Sequence, residues 1–175
     1  ILFLVLILLA LRRVSMESIN ELLNQENINE IFLAKSFRYN LAIFCLLLYG
    51  FVELFFPNNS TLAYICFACG SATFALLNDF VLKENNILFK PFVLYIISTI
   101  SITAIGFFFL GFNYLFELNI TNHFRHFLTT GSFGMVFYVI MIIVSTIHIG
   151  RKIFTNWDLT LGLILIIIAT FMRAF

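Results

Sequence analysis

Histidine stands at both ends of one long apolar stretch: His126 opens it, His148 closes it, and His123 lies one helical turn before His126. An imidazole at the rim of a membrane helix is a candidate site, because an ionisable ring is costly there unless something partners it. In one continuous α-helix the 22 residues from His126 to His148 rise about 33 Å, one hydrocarbon core, and leave the rings within about 40° of a single stripe. The two rings then serve opposite surfaces and cannot ligate one ion. His123 and His126 are i and i+3, a spacing that sets Cβ atoms about 5–6 Å apart on one helix face and suits chelation of a metal ion. A solvated His123 and a hydrogen-bonded His126 at a helix end are the plainer alternative. His148 and Arg151 repeat the i, i+3 spacing around Gly150, where an anionic group such as a phosphate fits a cationic pair. Cations complementing a helix C-terminus explain the same residues equally well.

Other residue patterns carry weaker chemistry. Gly131, Gly134 and Ser145 form a strip beside the His126 face that lets a neighbouring helix, or a flat ligand, approach the backbone. Cys66 and Cys69 are i and i+3, a spacing suited to Cu(I), yet Ala68, Gly70, Ser71 and Ala72 around them point to close packing. Glu53 and Asp79 are carboxylates near opposite ends of consecutive apolar runs. No Ser-His-Asp set, phosphate-binding glycine loop or paired-carboxylate motif is present, so catalysis has no residues to rest on and the reading leans away from an enzyme.

The elements that position these residues are membrane spans. Of the 175 residues 62% are hydrophobic and 11% charged, and the mean hydropathy is +1.04, about half the charge of a soluble domain. Net charge is +1, which excludes a basic nucleic-acid face, and three cysteines in apolar runs imply no disulfide framework. Apolar runs fall at about 1–11, 39–56, 61–82, 91–116, 124–149 and 159–175, the first too short to cross alone. Residues 12–38 form the one long polar segment, in which Ser18-Ile-Asn-Glu21 reads as a capping box for a short surface helix over Leu22 to Phe32, or else as a solvated connector. Pro57-Asn-Asn-Ser60 predicts a tight turn between antiparallel neighbours, and Pro91 suits a first helical turn. Counting spans puts Arg12, Arg13, Lys35, Arg38, Lys83, Lys90, Arg151 and Lys152 on one side and Arg125 and Arg173 on the other. That asymmetry makes the first side cytoplasmic, with His148 facing in and His123 and His126 facing out. Both chain ends lie inside apolar runs and read as cut from a longer protein.

The residues around the histidines resemble the NnrS family, multi-pass membrane proteins of the nitric oxide response that contain haem and copper. The family pattern His-Ala-Leu-Thr-x-Gly-x-x-Gly, an apolar helix, then Ser-x-Gly-His-Thr-Gly-Arg, is matched by His126, Leu128, Thr129, Gly131, Gly134, Ser145, His148, Gly150 and Arg151. Arg12-Arg13-Val14 and the stretch from Pro91 to Gly106 resemble two further family segments. The chain departs from the pattern at Ile97, where the family has a histidine, at Ile100 and Ile102, where it has aromatics, and at Ser15-Met16 in place of Ile-Pro. The resemblance implies metal ligation by His126, His148 and His123, copper at the His123–His126 pair, and haem contacts from His148, Arg151, Gly131 and Gly134.

The sequence therefore predicts an all-α membrane protein: a helical bundle of five to six transmembrane spans, one polytopic region over 1–175, and the C-terminal half of a twelve-span protein. Its expected partners are the lipid bilayer, haem or copper, and helices of the missing half, with no nucleic acid. The bacterial inner membrane is the expected location, with loops 12–38, 83–90 and 150–158 cytoplasmic. A transporter segment and a cofactor-free structural subunit are the competing readings.

Overall fold

The first 49 residues contain neither glycine nor proline, and nothing in them stops a helix at Arg12. In the computed structural model, which describes residues 1–56, 60–81, 85–149 and 157–175, α1 accordingly runs unbroken from Leu2 to Gln25. The expected surface helix does not form. Ser18 lies in mid-helix and donates its hydroxyl to the Val14 carbonyl instead of capping. Arg13 and Glu17, one turn apart, pair at 2.8 Å on the exposed face. The helix stops where Asn27 adopts a left-handed φ of 56°. There the Asn27 N–H donates to the Asn24 carbonyl at 3.1 Å and the Ile28 N–H to that of Leu23 at 3.0 Å, the two bonds of a Schellman stop. The chain then folds back along α1, held by two bonds between the Asn20 side chain and the Phe32 backbone (2.7 and 3.1 Å). Phe32 is buried by this return, and Ile31 beside it is exposed.

The remaining helices are α2 (Ser36–Phe55), α3 (Thr61–Phe74, tightened into a 3₁₀ turn over Ala75–Phe80), the short α4 (Asn85–Leu88) and α5 (Pro91–Leu115). They are followed by α6 (Thr121–His126), a π-helical segment (Phe127–Phe133), α7 (Gly134–His148) and α8 (Trp157–Ala174). No strand occurs among the described residues. Four stretches among them are long and apolar enough to cross a membrane: Ser36–Phe55, Thr61–Phe80, Pro91–Leu115 and Thr121–Thr146. Thr160–Ala174 is apolar but shorter. The turn expected at Pro57-Asn-Asn-Ser60 falls mostly outside the described residues, whereas Pro91 opens α5 as expected.

Side-chain contacts order these helices into an up-and-down bundle. At one end Arg12 donates to Ser36 (2.5 Å), Arg38 pairs with Asp79, and Lys90 pairs with Glu26 (2.6 Å). At the same end Tyr95 and Thr160 share a hydrogen bond of 2.8 Å. At the other end Arg125 reaches Glu53, and Arg173 comes within electrostatic reach of His126. α5 is the central post, packed on α3, the π segment, α6, α7 and α8. Of its most apolar window 61% is buried, against 22% for α2, so α2 has far more surface left for lipid.

Candidate functional site

The far end of the bundle is built on Asn113, a buried residue near the end of α5. Its side chain donates to the Thr121 hydroxyl (2.8 Å) and accepts from the Ile120 N–H (3.0 Å), fixing the turn into α6. Phe124 then stacks on Phe109 at 5.3 Å, and Phe127 packs edge-on against Phe171 at 5.2 Å. These two rings, themselves i and i+3, occupy the inward face, which leaves His123 exposed and His126 half-buried on a shared outer face. Both lie in the α-helical turn Thr121–His126, so the chelating spacing is kept. Arg173 stands near His126, and its positive charge opposes a metal cation there.

Immediately after His126 the backbone widens into the π segment, with i→i+5 bonding over Phe127–Phe133. A π segment turns less per residue than an α-helix, so the α geometry that a single stripe for His126 and His148 assumes does not hold over Phe127–Phe133. The widening is held by a buried hydrogen bond from Thr103 to Ser132 (2.6 Å) and by the lack of side chains at facing glycines. A Cβ on Gly131 would lie 2.7 Å from the Ile102 methyl and 3.0 Å from that of Thr170; one on Gly106 would lie 2.9 Å from Leu128 and Phe127. Gly131 thus admits α5 and α8, and Ile102 fills the space beside it. Gly134 is half-buried, and a Cβ there would make only ordinary contact with Ile166 at 3.5 Å. Ser145 is exposed and bonds its own helix at the Ile142 carbonyl (2.9 Å).

Glu53, half-buried near the end of α2, is the polar focus at this end. Its Oε1 accepts from Tyr49 (2.9 Å), Tyr114 (3.4 Å) and the Arg125 guanidinium. The cluster borders a cavity of about 540 Å³ walled by the first turns of α1 and by Leu128, Thr129 and Phe133 of the π segment. Sequence reasoning singled out Glu53 but missed its partner. The available signal was Arg125 itself, one of two cations on a side otherwise without them.

Other candidates separate from this end. The His148 side chain, Gly150 and Arg151 lie outside the described residues. Cys66 and Cys69 are buried in the α3 interface, and Ile97, Ile100 and Ile102 all pack into the core. Among the described residues no three His, Cys, Asp or Glu side chains come close enough to hold a metal ion.

A family model, that of the NnrS protein, matches residues 1–175. The chain belongs to the NnrS family. Comparison with curated proteins and with solved structures found no match. With its apolar helices, NnrS membership makes this a multi-pass membrane protein. The NnrS-like residues divide by place: Thr129 lines the cavity of the polar cluster, His126 stands near Arg173, and Gly131 lies at the π contact with α5 and α8.

Proposed function

We propose that this protein acts in the cell's response to nitric oxide, as a haem- or copper-binding membrane protein of the bacterial inner membrane. Membership of the NnrS family over residues 1–175 carries the reading. His123 and His126, on one face of α6, offer two nitrogen donors of the kind copper prefers. The described residues add no third donor to this pair, so they fit half a copper centre and not a whole one. The remaining ligands come from helices of a larger, twelve-span protein. At the opposite end of the span His148 and Arg151 suit an anionic haem propionate, with Arg151 as the cation. Such a metal, when bound, supplies an open coordination position for a diatomic gas.

The end of the bundle holding Arg12, Arg13, Lys35, Arg38 and Lys90 is the cytoplasmic one in this reading, with loops 12–38, 83–90 and 150–158 on that side. The test is purification in mild detergent, followed by absorption spectroscopy and copper analysis before and after anaerobic addition of nitric oxide. A Soret band or bound copper that responds to the gas is the expected result. Folded protein with neither metal nor response rejects the reading.

A further inference from the structure

The cavity beside Glu53 has one polar end and an apolar body. Glu53, Arg125 and Thr129 stand at the polar end; Leu4, Ile7 and Phe133 line the body. Its volume, about 540 Å³, is that of a site for a small organic ligand. One wall is the π segment, a backbone form frequent at functional sites. Glu53 lies two residues before the end of α2 and Arg125 in the first turns after Thr121, so the polar end is at the membrane interface. Ile7 and Phe133 sit farther along their helices, at hydrocarbon depth. Polar head at the interface and apolar body below it is the arrangement of a lipid in its own leaflet.

The charges choose the head group. Three donors converge on Glu53 Oε1, and the second carboxylate oxygen takes none of these bonds. The ion pair engages the terminal NH2 of Arg125, whose side chain is 46% exposed, which leaves guanidinium N–H groups facing the site. A purely anionic head would have to compete with Glu53 for the arginine. A head carrying both signs answers carboxylate and guanidinium together. We propose that this cavity binds one zwitterionic phospholipid, its ammonium on Glu53, its phosphate on Arg125 and an acyl chain along Leu4, Ile7 and Phe133. The proposal does not depend on the metal reading.

Native mass spectrometry on the full chain tests it. The protein is purified in mild detergent, stripped of lipid, and titrated with dioleoylphosphatidylethanolamine or dioleoylphosphatidylglycerol. One phosphatidylethanolamine per chain is expected, bound about tenfold more tightly than phosphatidylglycerol, the scale of one charge-assisted hydrogen bond. Arg125→Gln should lower retention by about the same factor. Thr129→Trp fills the cavity mouth from an exposed position, leaves the ion pair in place, and should abolish retention; it carries the test if Arg125→Gln does not fold. Equal binding of the two lipids, no bound lipid in the folded wild-type protein, or undiminished binding in Thr129→Trp would overturn the proposal.

Discussion

The bundle has an acid–base pair at each end, and the two are built differently. Arg38 and Asp79 join α2 to the end of α3 with the Asp79 side chain wholly buried, and Asp79 also accepts the Lys35 N–H at 3.0 Å. Glu53 and Arg125 join α2 to α6 with both side chains partly exposed, 22% and 46%, at the mouth of a cavity. The first pair has both carboxylate oxygens committed to the protein. The second leaves donors and space free. A closed pair fixes helices, whereas an open pair beside a cavity also leaves room to bind.

The largest effect is expected at the closed pair. Arg38→Met leaves Asp79 buried without its cation, and the expected loss is about 3–5 kcal/mol in a detergent unfolding assay. Gly131→Ala comes next. The added methyl meets Ile102 and Thr170 inside van der Waals distance, and overpacking of this kind costs about 1–3 kcal/mol, read as a lower melting temperature. The smallest effect on stability is expected at the open pair. A double-mutant cycle on Glu53 and Arg125 should give a coupling below about 1 kcal/mol that weakens as salt is raised, because both partners reach solvent. The same cycle on Arg38 and Asp79 should give a larger coupling that salt hardly changes. Equal couplings and equal salt dependence would erase the distinction between the two ends.

Much of this architecture was legible in the sequence because apolar length is a strong signal in a membrane. The runs beginning near Tyr39, Thr61, Pro91 and Phe124 all became long helices, and the proline of Pro91 marked a helix start. The course of α1 was not legible. Charge at Arg12 and Arg13 reads as the end of a span, but charge does not end a helix, and only the left-handed Asn27 does so. The π segment left no trace either, since i→i+5 bonding has no side-chain period of its own and arises from the packing of Gly131 and Ser132 against α5 and α8 and of Phe127 and Leu128 against Gly106 of α5. At the site, His126 and His123 were visible as residue types at a chelating spacing. The Glu53–Arg125 pair was not, because 72 positions separate its members and only the turn built on Asn113 brings them together.

The proposed metal role rests on the histidines, and metal analysis of three full-length proteins tests it most directly: wild type, His126→Ala and His148→Ala, each by absorption spectroscopy and copper determination. Bound metal is expected in the wild type and loss of different signals in the two variants, because a membrane thickness separates the two positions. Unchanged metal content in both folded variants would contradict it.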